Sequence, residues 1–210
     1  MDKTHKTEET FVFIDSQYLS IIAKHLFGRT PHYFINGLAY TLAKEQGLWC
    51  KGVFYYTAPP YQDPIPARED AHRRHNYDRF INNLKKIEGF TVREGRCQKV
   101  DGEFHEKGVD ALMTMDLMET AYKDKMKKII LIACDTDFVP VLNRLRESHG
   151  VTIILYYFTD RVRGSRFSMS NHILTACDKT VLLKKGHFEQ NMMTRTEESS
   201  VETKTSGKTA

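Results

Sequence analysis

Apolar residues along this chain alternate between two rhythms. Phe11 to Ile14 make a short unbroken hydrophobic run that stops at Asp15, and Ile129 to Ile132 make another that gives way to Ala133-Cys134-Asp135. Short, β-branched runs bounded by turn formers are the pattern of strands covered on both faces. Residues 11–15, 49–57, 90–93, 129–135 and 151–158 read as five strands, the third extended through Lys99, and Val181 to Leu183 adds a short sixth. Helical spacing fills the intervals. Residues 16–46 hold two helices around a break at Gly28 to Pro31, and Tyr77, Phe80, Ile81, Leu84 and Ile87 mark a helix running to about Glu88. Val109 to Tyr122 and Phe138 to about Ser148 are two more, the latter closed by His149-Gly150. Residues 58–67 carry four of the six prolines and read as a loop, and residues 99–108 as hairpin-like or irregular.

Strand and helix alternating about five times predict an α/β fold, a mainly parallel sheet with helices on both faces and right-handed crossovers. The expected organisation is a flexible N-terminus over 1–10, one folded domain over 11–188, and a disordered tail over 189–210 built of Thr, Ser, Lys and Glu. With 210 residues and 40% hydrophobic content, the chain is long enough for a real core. No apolar run approaches the roughly 20 residues of a membrane span, and the polar start has no signal-peptide core, so a soluble, cytoplasmic protein is expected. Cys50, Cys97, Cys134 and Cys177 lie far apart with no CxxC pair, which predicts reduced thiols and neither a zinc knuckle nor a disulfide framework.

A net charge of +4 says little by itself, but its distribution says more. Between Arg68 and Lys99 nine Lys/Arg stand against five acids, and Arg161, Arg163 and Arg166 make a second cluster. Arg73, Arg74, Arg79 and the 161–166 arginines are candidate phosphate contacts; a solvated helix face and loop are the plainer alternative. His72 and His75 have metal-ligand spacing, yet no third ligand is evident and Arg73-Arg74 would repel a cation. Tyr55, Tyr56 and Tyr61 suit either base stacking or packing. No P-loop, GxGxxG or Ser-His-Asp order is present.

Four aspartates fall at element ends: Asp15 after the first strand, Asp110 opening a helix, and Asp135 and Asp137 after the fourth strand. Each alone has a structural explanation, Asp15 and Asp137 as helix N-caps, Asp110 as a first-turn residue, Asp135 as a turn former. Together they predict a shared rim. Two carboxylates ~5 Å apart repel by roughly 3 kcal/mol at an effective dielectric of 20, so such a cluster calls for a hard divalent ion, with phosphate as the natural remaining ligand. Asp116, six residues beyond Asp110, lies about 240° round the helix and faces elsewhere.

At these residues the sequence resembles a family. FVFIDSQYL, EKGVDALMTMDLMETAY, IILIACDTDFVPVLNRLRESHGV and SMSNHILTACDKTVLL are similar, in order, to the motifs of NYN domains, which belong to the PIN-like nuclease superfamily. The resemblance spans residues 11 to 185. It implies a Rossmann-like α/β/α sandwich and a metal-dependent endoribonuclease, with Asp15, Asp110, Asp135 and Asp137 as catalytic residues holding Mg²⁺ or Mn²⁺, RNA as partner, and Asp116 and Asp178 in supporting positions. Tyr18 stands where the family usually has Asn, a supporting position too, and Ala133-Cys134 replaces Ser-Gly. The alternative is a non-catalytic RNA-binding or protein-interaction module on the same fold; a homo-oligomer is left open.

Overall fold

The structure, a computed structural model, describes residues 7–160, 165 and 167–194. In chain order its first half comprises β1 (Glu9–Asp15), α1 (Ser16–Phe27), α2 (Ile35–Glu45), β2 (Trp49–Thr57), α3 (Arg68–Leu84) and β3 (Phe90–Glu94). A hairpin follows, β4 (Arg96–Val100) and β5 (Glu103–Lys107), then α4 (Val109–Tyr122) and β6 (Lys128–Ile132). A 3₁₀ turn (Thr136–Phe138) leads into α5 (Val139–His149), and β7 (Thr152–Tyr157), α6 (Asn171–Thr175), β8 (Lys179–Leu182) and α7 (Lys185–Glu189) complete the order.

Six strands form one sheet in the order β3-β2-β1-β6-β7-β8, and every neighbouring pair is parallel. Parallel neighbours need crossovers, and the crossovers cover both faces. Side chains of α1, α2, α3 and α7 pack on one face; those of α4, α5 and α6 pack on the other. The central strands are correspondingly dry, Ile130, Leu131 and Ile132 being 0% exposed and Val12, Phe13 and Ile14 likewise. Burial of each such side chain contributes about 1.5–3 kcal/mol. The expected α/β/α sandwich is present, a six-stranded parallel sheet between two layers of helix.

Two local expectations need correcting. The third strand does not run on to Lys99: β3 ends at Glu94, and Gly95 lets the chain leave the sheet into the hairpin. A Cβ at Gly95 would stand 2.6 Å from the Lys107 carbonyl oxygen and 2.7 Å from Val109 Cγ2, so only glycine permits that close passage. In α4, Met115 and Tyr122 are 66% and 75% exposed on the side opposite buried Val109, Met113 and Leu117. The basic helix begins at Arg68, well before Tyr77, and ends at Leu84.

The ends of the described chain are engaged. β1 starts at Glu9, two residues before the expected boundary. Within the stretch expected as tail, the Asn191 carbonyl accepts from Phe34 N at 2.9 Å, Met193 N donates to the His32 carbonyl, and Met192 bridges to Tyr33. Among the described residues no helix is long and apolar enough to cross a membrane.

Candidate functional site

β1 and β6 lie side by side, Ile14 opposite Ile132. From β1 the chain crosses one face of the sheet and from β6 the other, so a crevice opens beyond their carboxyl ends, the place where open α/β sheets bind ligands. Asp15 ends β1 in that crevice, and Asp135 follows β6. Asp15 also caps α1, its Oδ1 accepting from Gln17 N at 2.9 Å and Tyr18 N at 3.1 Å. Asp135 Oδ1 accepts from Asp137 N at 2.9 Å and so caps the 3₁₀ turn, a role expected of Asp137. Asp137 itself stands exposed within that turn. Asp110 enters from the other side, in the first turn of α4 after Gly108, whose φ of 83° lies in the left-handed region that costs glycine little.

The electrostatics tie these acids together. Burial pushes the Asp15 carboxyl from its ordinary 3.8 up to about 6 despite the two backbone hydrogen bonds that favour its charge, and the charges of Asp110 and Asp135 add to the rise. Asp110 is raised by loss of hydration, then by Asp135 and Asp137. Asp15 thus feels Asp110 and Asp135, and Asp110 feels Asp135 and Asp137, across one edge of the sheet. Cys134, between the strand and Asp135, has its thiol pushed up to about 11 by burial and by Asp15, Asp135 and Asp110, which keeps it protonated and a poor metal ligand.

A fifth acid joins them that no motif spacing picks out. Glu106, in β5, is raised by loss of hydration and then by Asp15 and Asp110. The hairpin folds back over the sheet edge and carries it there, which a stretch of alternating charge such as GEFHEKG does not announce. Among the described residues no three His, Cys, Asp or Glu side chains already converge on a point an ion would occupy. Mg²⁺ is usually held by one or two carboxylates, with waters and substrate phosphates as its other ligands. An all-oxygen edge with excess negative charge suits Mg²⁺ or Mn²⁺ over softer ions.

The other predicted positions are elsewhere engaged. Asp116 is buried under α4, accepting from Arg93 Nε at 2.8 Å, Arg93 Nη2 at 2.7 Å and the Tyr56 hydroxyl at 3.0 Å. Asp178 accepts from Ile153 N at 2.8 Å and Arg146 Nε at 3.1 Å, joining β7, α5 and β8 at the far end of the sheet. The Tyr18 hydroxyl accepts from Phe158 N at 2.9 Å, pinning α1 to the end of β7. On α3, Arg73 pairs with Asp70 and Arg74 with Asp78, and Arg79 is half-buried. Tyr55 and Tyr56 are buried packing residues. Arg161, Arg163 and Arg166 lie outside the described residues.

A doubly wound parallel sheet with acids gathered at its switch point defines a nuclease-like α/β fold of the PIN-like class. The family model of the NYN domain matches residues 9–184, and the chain belongs to that family. Among solved structures it is similar to a protein of unknown function from Vibrio parahaemolyticus, at 16% identity and a TM-score of 0.58, over 90% of this chain and 99% of that one. That likeness is one of fold. No curated protein matches.

Proposed function

We propose that this protein is a divalent-metal-dependent ribonuclease that hydrolyses RNA phosphodiester bonds at the edge formed by β1, β6 and the start of α4. The observation that carries the reading is the convergence of acids at the switch point of the sheet, where Asp15 is raised by Asp110 and Asp135 and Asp110 by Asp135 and Asp137. These four would hold Mg²⁺ or Mn²⁺. When bound, such an ion supplies a water of lowered pKa and a counter-charge for the phosphate.

The chain's own residues then have distinct tasks. Asp15 is held by the two amides it caps through one oxygen, which leaves the other free for a cation. Asp135 is fixed likewise by Asp137 N. Asp110 rides on a helix whose docking is set by the Arg93–Asp116–Tyr56 contacts, and the helix N-terminus favours the anionic groups gathered there. Crowded carboxylates without a cation repel an RNA phosphate, so ion and substrate binding are coupled.

Cleavage of labelled single-stranded RNA, with and without EDTA, tests the reading. Metal-dependent scission by the parent and none by Asp110→Asn are expected; scission by both at equal rates contradicts it. A second reading, a non-catalytic RNA-binding or interaction module, is favoured by one observation, the commitment of the Tyr18 hydroxyl to the β7 backbone where relatives carry Asn. It requires that millimolar Mg²⁺ or Mn²⁺ leave thermal stability unchanged.

A further inference from the structure

The hairpin that delivers Glu106 also carries an exposed aromatic, Phe104. Alternate residues of a strand share a face, so Phe104 and Glu106 project to one side of β5, and their cross-strand partners Lys99 and Cys97 project there too. Glu106 reaches the acid edge. Phe104 stands two residues further out, about 7 Å along the strand, a distance comparable to the step between neighbouring nucleotides in an unstacked strand.

The surroundings of Phe104 are those of a stacking site rather than of a core. Phe104 is 59% exposed. It meets Tyr61, from the proline-rich loop, with centroids 5.6 Å apart and planes tilted by 44°. Lys99 Nζ lies 5.7 Å from the Phe104 centroid and 5.9 Å from that of Tyr61. Beside them a hollow of about 210 Å³ is lined by Pro60, Tyr61, Asp63, Cys97, Phe104 and the Arg73–Asp70 pair. Exposed rings with adjoining cations are the equipment by which single-stranded nucleic acid is bound, base faces on rings and phosphates on Lys or Arg. A duplex keeps its base faces stacked inside and offers them to no ring.

We propose that Phe104 and Tyr61 form a base-stacking platform for single-stranded RNA, with Lys99 and Arg73 meeting the backbone, so that the nucleotide next to the cleaved phosphate is gripped by its base. The identity of the bound chain rests on the nuclease reading; the platform itself does not require cleavage. It explains why the chain leaves the sheet at Gly95 to build a hairpin with every residue of β5 exposed.

The test uses full-length protein carrying Asp135→Asn, expected not to cut, titrated in millimolar Mg²⁺ into single-stranded RNA containing 2-aminopurine. Quenching on binding is expected, reporting a stacked base. Phe104→Ala is expected to weaken binding about tenfold, in keeping with the usual worth of one base–ring stack, and Phe104→Trp to preserve it. An abasic ribose at the stacked position is expected to erase the difference between Phe104 and Ala. Equal affinity of parent and Phe104→Ala, or a penalty undiminished on the abasic strand, overturns the platform, as does equal binding of a fully paired duplex. Because Phe104 is exposed, unchanged melting temperatures accompany these variants, and a matched melt separates loss of binding from loss of fold. The two readings fail separately. RNA cut by the metal-loaded parent but bound equally by Phe104→Ala removes the platform alone, whereas binding lost in Phe104→Ala with no metal-dependent cutting by the parent removes the nuclease alone.

Discussion

Asp15 does two jobs that pull against each other. As N-cap it is stabilising when charged; as a member of the acid edge it is not, and its carboxyl titrates at about 6 against an ordinary 3.8. The folded chain therefore keeps this proton to higher pH than the unfolded chain, so folding takes up a proton, and the metal-free protein loses stability as pH rises from 3.8 through about 6. Asn caps as well as Asp. Asp15→Asn is thus expected to remove that slope and to stabilise the metal-free protein at pH 7 by about 1 to 2 kcal/mol, allowing for the hydration the group retains, while abolishing cleavage. Thermal melts at a series of pH values check it, and a lower melting temperature for Asp15→Asn at pH 7 would contradict it. At Tyr18 the expectation is opposite in sign. Tyr18→Phe leaves Phe158 N without its partner and costs about 1–3 kcal/mol, read by denaturant unfolding; no loss would show that the hydroxyl contributes nothing.

At the scale of elements, β1 and β6 were legible because a buried parallel strand needs nothing but a short apolar run, and FVFID and IILIACD supply it. The aspartates after them were legible for the same reason, as charges that cannot remain inside. Other features were not. β3 and β4 read as one strand because nothing local in VREGRCQKV distinguishes a strand that continues from one that leaves its sheet; the distinction lies in what Gly95 passes, Val109 and the Lys107 carbonyl. Glu106 was hidden by the same hairpin, since its neighbours in space come from β1 and α4. α6 and α7, five residues each, are too short to show a helical period. Helix angle sets Asp116 apart from Asp110, but Arg93, read as one of a basic run, is its partner at 2.7 Å. Since Asp116 is buried and Arg93 is 41% exposed at its side chain, Arg93→Ala strands a carboxylate with only the Tyr56 hydroxyl, and a loss of about 2–3 kcal/mol is expected, below the 3–5 kcal/mol of a fully buried pair. Because α4 carries Asp110, cleavage by Arg93→Ala is expected to fall along with stability; an active variant of unchanged melting temperature would dissociate α4 docking from the site.

For the whole molecule, the doubly wound order is what makes a site from residues more than a hundred positions apart. Parallel strands laid out from a central pair bring the ends of β1 and β6 together, and the first crossover on the far face brings the start of α4 to meet them. The fold tolerates the crowded charge because burial elsewhere is extensive, from Ile14 and Ile132 at the sheet centre to Phe138 at the head of α5, each 0% exposed. Phe138→Ala is expected to cost about 3–5 kcal/mol and to disturb Asp135 and Asp137 directly, as the 3₁₀ turn hangs on that ring. The most direct measurement of the central claim is the thermal stability of the parent and of Asp135→Asn as Mg²⁺ or Mn²⁺ is titrated at pH 7. A shared acidic site predicts that the parent gains about 2.7 kcal/mol at a hundredfold excess over the dissociation constant and that Asp135→Asn gains far less. A parent whose melting temperature does not move in millimolar metal, or a variant that moves as far as the parent, would contradict it.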